Sequence, residues 1–130
     1  MKLFHAAKNL TFSGGLIAKF LVLASINKIF EKDEIKKRQR AVELTTQHCR
    51  ALLRNLKFEV KYTYSDPNLF ANGKNYFMVC NHMSYMDIIF LSAGEPAAFV
   101  TSVEMKNTPF LGDLSDLGGS YFVERRDRTK

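Results

Sequence analysis

His82 and Asp87 stand five positions apart in Asn81-His82-Met83-Ser84-Tyr85-Met86-Asp87, directly behind the apolar run Tyr76-Phe77-Met78-Val79-Cys80. An imidazole titrates near neutrality and can take a proton from an alcohol, while a carboxylate on its other nitrogen fixes the tautomer and stabilises the imidazolium. The apolar run reads as a buried strand, and Asn81 and Ser84 are both good helix N-caps, so His82 is expected where a strand hands over to a helix. On one continuous helix the two side chains would point about 140° apart at roughly 100° per residue, so His82 has to precede the helix. The plain alternative is a capping histidine and a solvated acid. A cysteine nucleophile is the rival chemistry, since Cys80 is two residues from His82, but Asn81 ends the strand between them. Cys49 and Cys80 instead read as buried hydrophobes on an apolar helix stripe and in an apolar strand. His5 and His48 lack partners at metal-ligand spacing, so no metal site is expected.

The pattern Asn-His-x-x-x-x-Asp after an apolar strand resembles the first sequence block of the glycerophospholipid acyltransferases, the 1-acylglycerol-3-phosphate acyltransferase family. In that family a lysine, a proline and a glycine precede a strand of the form Gly-x-x-Phe-Ile-Asp-Arg. Here Lys106, Pro109 and Gly112 lead into Gly119-Ser120-Tyr121-Phe122-Val123-Glu124-Arg125, with Glu124 in place of the usual aspartate. The resemblance runs from about Lys57 to Lys130. It implies His82 as general base, Asp87 as its orienting partner, and Arg125 with Lys106 at the acceptor's phosphate. The co-substrate it implies is an acyl-CoA or acyl-carrier protein thioester, with no cofactor and a lysophospholipid as acceptor. The family's later Pro-Glu-Gly-Thr block does not occur in these residues, which implies the N-terminal half of an acyltransferase domain. Two rival readings are a catalytically inactive membrane-associated fragment and a basic peripheral-membrane interaction module.

Taken on its own residues, Arg125 lies in the charged tail Glu124 to Lys130, where a solvated arginine is the alternative to a phosphate ligand. A guanidinium offers a planar fork of donors suited to a phosphate monoester; Lys106 is a point charge in a loop. Gly118-Gly119 fits a phosphate-cradling turn, and more cheaply a helix C-terminus that needs positive φ.

The elements that position these residues are legible in the hydrophobic pattern. Leu16 to Phe30 is apolar on nearly every helical face, interrupted by Lys19, Asn27 and Lys28, and a helix apolar all round is buried or in lipid. It falls short of the roughly 18 to 20 apolar residues a spanning helix needs, which favours a monotopic or half-embedded helix over a transmembrane one; the expected location is the cytoplasmic face of a membrane. A signal peptide is disfavoured by Lys19 inside the apolar stretch. From Glu34 to Leu56 the residues Ile35, Val42, Cys49, Leu52, Leu53 and Leu56 form one stripe, predicting an amphipathic second helix; Glu31-Lys32-Asp33-Glu34 is the turn of a two-helix hairpin.

The net charge of +6 suits nucleic acid and anionic membranes alike. No nucleic-acid fingerprint accompanies it. The run Lys36-Lys37-Arg38 with Arg40 follows an apolar helix, where each nearby cation is worth about 1 kcal/mol against anionic headgroups. A membrane surface is the expected partner.

Lys57 to Tyr64 alternates strictly and predicts a half-exposed strand, followed by loop at Ser65-Asp66-Pro67-Asn68 and Ala71-Asn72-Gly73. Further strands are expected at Tyr76 to Cys80, Ala97 to Thr101 and Ser120 to Glu124, with helices near Met86 to Ser92 and Pro109 to Leu117. The fold class is therefore α/β: a membrane-associating helical region over 1–56, then a largely parallel sheet with right-handed crossovers over 57–130. Ligands of such sheets bind at the carboxyl ends of the strands, where His82 and Arg125 both fall.

Overall fold

The computed structural model describes residues 2–66, 68, 70, 76–81 and 84–124, with side chains from Lys8 onward. Five helices and two strands occur among them: α1 Lys2–Phe30, α2 Glu34–Asn55, α3 Tyr85–Gly94, β1 Val100–Ser102, α4 Val103–Lys106, α5 Leu111–Leu117 and β2 Tyr121–Val123.

The first helix extends much further toward the N-terminus than the apolar stretch alone predicts. Residues Lys8–Phe30 of α1 are long and apolar enough to cross a membrane, which removes length as an argument against spanning. It ends at the charged turn. Glu31 Oε1 accepts the Asp33 N–H at 3.0 Å, and Asp33 Oδ1 in turn accepts the N–H groups of Ile35 at 2.9 Å and Lys36 at 3.1 Å. Two otherwise orphaned donors of the α2 start are thereby satisfied, as an N-cap aspartate should do.

Side-chain amides tie α1 and α2 together at both ends. Asn27 Nδ2 donates to the Lys37 carbonyl at 2.9 Å, and Asn55 Nδ2 to the Asn9 carbonyl at 3.0 Å and Ser13 Oγ at 2.9 Å. The end of α1 thus meets the start of α2 and vice versa, so the helices run antiparallel. Phe20 and Ala24 of α1 and Leu44 of α2 form the core, with Leu114 and Leu117 of α5 packed against it. The opposite side of α1 is bare: Phe12, Val22, Ile26, Ile29 and Phe30 are exposed. Along α2, Val42 and Leu53 of the expected stripe are buried, whereas Ile35 and Leu56 are exposed because they lie at the helix ends, beyond the core.

β1 and β2 pair in parallel, Val100 with Tyr121, Thr101 with Phe122 and Ser102 with Val123, and α4 and α5 lie in the connection between them. Both strands are shorter than the sequence predicts and make a sheet of two. Lys57 to Tyr64 and Tyr76 to Cys80, both expected as strands, join no ladder. Tyr76 to Cys80 is also exposed rather than buried, with Phe77 and Val79 each 96% accessible, and Cys80 exposed with them. The reason is pairing: a strand exists only with a neighbour about 4.8 Å away, and among the described residues neither segment has one.

The alternation in Lys57 to Tyr64 is nevertheless real. Its even-numbered aromatics all reach the end of α3: Phe58 packs edge-on to Phe90 at 5.6 Å, Tyr62 Oη donates to the Phe90 carbonyl at 2.6 Å, and Tyr64 Oη to Glu95 Oε1 at 2.9 Å. Period two put one face of this segment on a helix instead of in a sheet.

Candidate active site

Ser84 is the residue at which the chain turns into α3. It is extended, at φ −145° and ψ 158°, and its N–H donates to Asp87 Oδ2 at 2.7 Å while the Asp87 N–H donates to the Ser84 carbonyl at 3.1 Å. Asp87 therefore occupies the third position of the helix in a capping box, half-buried, with its negative charge at the positive end of the helix dipole. His82 lies outside the described residues; in the chain it comes two positions before the cap, so α3 begins after it, as the five-residue spacing requires.

From the other end of α3, Arg50 of α2 holds the last carbonyls. Its Nε donates to the Ala93 carbonyl at 2.6 Å and its Nη2 to that of Gly94 at 2.8 Å. Gly94 is required there, since a Cβ would lie 2.7 Å from the Tyr62 ring. Nearby, burial pushes the Cys49 thiol up to about 11, against a smaller opposing effect of the Ser92 hydroxyl. Cys49 is thus protonated and inert at neutral pH.

The second block is built on the β1–α4–α5–β2 connection. Lys106 ends α4 and is exposed, with its ammonium 5.3 Å from the centroid of the Phe122 ring in β2. Gly112 permits the backbone to fold back on it: a Cβ at Gly112 would lie 2.1 Å from the Lys106 carbonyl oxygen. Between them the Leu111 N–H donates to the Pro109 carbonyl at 2.8 Å across Phe110, whose φ of 65° and ψ of −49° make a strained γ-turn. The lysine, proline and glycine named from the sequence are thus parts of one tight turn.

Gly119 has a different role from the phosphate contact expected of it. At φ +84° it terminates α5: its N–H donates to the Asp116 carbonyl at 3.1 Å and the Ser120 N–H to that of Ser115 at 3.1 Å, the Schellman pattern. With its donor used and its Cα buried against α2, Gly119 has no N–H to offer a phosphate; helix termination is the correct reading.

Because β1 and β2 are parallel, Lys106 and Arg125 follow the carboxyl ends of adjacent strands, four residues after Ser102 and two after Val123. Arg125 itself lies outside the described residues. Sequence reasoning missed Arg38, read only as one cation of the basic run suited to anionic headgroups, which donates to the carbonyls of Gly119 and Ser120. Its spacing was a usable signal: Arg38 lies three and four residues before the buried Ala41 and Val42, on their face of α2. Among the described residues no three His, Cys, Asp or Glu side chains cluster closely enough to hold a metal ion.

A family model described as acyltransferase matches residues 61–130, more than half of the chain. The chain belongs to the acyltransferase family. That span encloses both blocks, from His82 and Asp87 to Lys106 and Arg125. Among curated acyltransferase relatives, the 1-acyl-sn-glycerol-3-phosphate acyltransferases of Neisseria gonorrhoeae and Neisseria meningitidis are each 35% identical over 51 residues, 39% of this chain and 20% of theirs. The lyso-ornithine lipid O-acyltransferase of Pseudomonas aeruginosa is 31% identical over 115 residues, 85% of this chain and 42% of its own. The chain thus spans less than half the length of the curated relatives it matches. No solved structure gives a significant match.

Proposed function

We propose that this chain transfers a fatty acyl group from an acyl-CoA or acyl-carrier protein thioester to the free hydroxyl of a lysophospholipid such as 1-acylglycerol-3-phosphate. The observation that carries the reading is the family match over 61–130, which holds a histidine just ahead of a helix whose third residue is a fixed aspartate. His82 takes the hydroxyl proton, the oxygen attacks the thioester carbonyl, and collapse of the tetrahedral adduct forms the ester C–O bond as the C–S bond breaks. The proton then passes from the imidazolium to the leaving thiolate, giving a free thiol. Asp87 orients the imidazole and stabilises its charged form. Arg125 and Lys106 bind the acceptor phosphate, converting a collision into a positioned encounter. The wider parallel sheet with right-handed crossovers belongs to the same reading.

The bare side of α1 meets the membrane. A charged helix, α2, lies antiparallel along the other side, and its exposed Glu43, Gln47 and Arg54 belong in water, so α1 lies in the membrane interface rather than across the bilayer; the cytoplasmic face belongs to the same reading.

A second acceptor is favoured by one observation: the match to the lyso-ornithine lipid O-acyltransferase covers 85% of the chain and therefore reaches well into α1 and α2. The deciding experiment is transfer from a labelled acyl thioester to lysophosphatidic acid and, separately, to lyso-ornithine lipid, with His82→Ala as control. His82-dependent product with the first supports the principal reading and with the second the alternative. A folded chain that gives product with neither overturns both.

A further inference from the structure

We propose that Arg38 is a positioning residue for the headgroup-binding end of the site, coupling the α1–α2 pair to the strand on which Lys106 rests and which leads to Arg125. The inference rests on the acyltransferase reading above. Arg38 is half-buried on α2, and its Nη1 donates to the carbonyls of Gly119 at 2.7 Å and Ser120 at 3.0 Å. Its guanidinium carbon lies 3.7 Å from the centroid of the Tyr121 ring. One side chain therefore grips three consecutive residues, the last of which opens β2. A planar guanidinium can donate in its plane and stack on a ring at once; an ammonium cannot.

The same junction is closed from the other side. A Cβ at Gly119 would lie 3.2 Å from Ala41 Cβ and 3.3 Å from the Arg38 carbonyl oxygen, so the α5–β2 turn sits directly on the α2 backbone. Sliding of α2 along this turn would break the paired hydrogen bonds and the ring stack together. Downstream, Phe122 carries the Lys106 ammonium over its ring, and Arg125 follows Val123 by two positions. A displacement of Tyr121 is thus passed through Phe122 to Lys106, the described one of the two cations assigned to the acceptor. Upstream, α2 is seated on α1, the helix with the bare apolar side. Arg38 is a polar link between the membrane-facing pair and the headgroup end of the site, alongside the ion pair of Lys28 in α1 with Asp116 in α5.

The test is a comparison of the wild-type protein with Arg38→Lys and Arg38→Ala, measuring the KM of each substrate and calorimetric binding of lysophosphatidic acid in detergent. Arg38→Lys keeps the charge, so it leaves bulk attraction to anionic lipid in place and removes the planar group that stacks on Tyr121 while donating to both carbonyls. The expected result is a rise of about tenfold in KM and Kd for lysophosphatidic acid, with the KM for the acyl thioester within about twofold of wild type. A role in stability alone would lower kcat with the folded fraction and leave both KM values in place, and that outcome overturns the proposal. If wild type transfers acyl groups in a His82-dependent way and Arg38→Lys keeps the acceptor KM, Arg38 alone is misassigned. If wild type transfers acyl groups to neither lysophosphatidic acid nor lyso-ornithine lipid and binds neither, the acyltransferase reading fails and the Arg38 proposal with it.

Discussion

Asp87 accepts the backbone N–H of Ser84 at 2.7 Å, so the residue proposed to orient His82 also holds the start of α3 in place. The two roles separate by substitution. Asp87→Ala should lower stability by about 1 kcal/mol through the lost cap and abolish most transfer. His82→Ala should abolish transfer with little change in Tm. Thermal unfolding and the transfer assay, run on both variants, check the pair; a fully active Asp87→Ala would leave that residue as a cap only.

Gly112→Ala should destabilise the protein by about 1–3 kcal/mol, because the new methyl carbon has only 2.1 Å to the Lys106 carbonyl oxygen and backbone must move. The same movement displaces Lys106, so the KM for a phosphorylated acceptor should rise as well. Chemical denaturation and acceptor titration of one preparation measure both effects. A variant of unchanged stability would show that the turn opens more easily than its geometry implies.

The two cysteines should differ sharply in reactivity. Cys80 is exposed and should react with a disulfide reagent at once in the folded protein, whereas Cys49, its thiol held up to about 11, should react slowly at neutral pH and faster as pH rises toward that value. The stability linkage has a definite sign. The folded protein binds the Cys49 proton more tightly than the ordinary value of 9.0, so this contribution is constant below pH 9 and is lost between about 9 and 11. Labelling followed by peptide mapping distinguishes the sites; equal rates at pH 7.5 would contradict the burial of Cys49.

Membrane association should depend on the bare side of α1. Replacing Val22 and Ile29 with glutamate adds charge where these side chains face outward and should abolish co-sedimentation with vesicles while leaving the α1–α2 contact intact. Vesicle binding equal to wild type would place the membrane contact elsewhere.

Much of this molecule is determined locally, and those parts could be read from the chain. The apolar stretch ending at Phe30, the charged turn with its Asp33 cap, the amphipathic pattern of α2 and the Ser84 start of α3 each depend on residues within a turn or two of one another. The spacing of His82 and Asp87 required a helix beginning between them, and α3 begins at Tyr85. The Gly118-Gly119 pair announced a helix end because positive φ is a property of the residue itself.

What remained was decided by partners distant in sequence. Lys57 to Tyr64 and Tyr76 to Cys80 carry strand patterns, yet a strand is a relation between two segments, and only β1 and β2 are paired among the described residues. Period two in the sequence says that one face meets a neighbour; it does not say whether that neighbour is a sheet or the end of α3. Likewise Arg38 looked like one more cation in a basic run. Its placement over Tyr121 and beneath the Gly119 and Ser120 carbonyls arises only when residues more than 80 positions apart are packed together, and no local pattern encodes that contact.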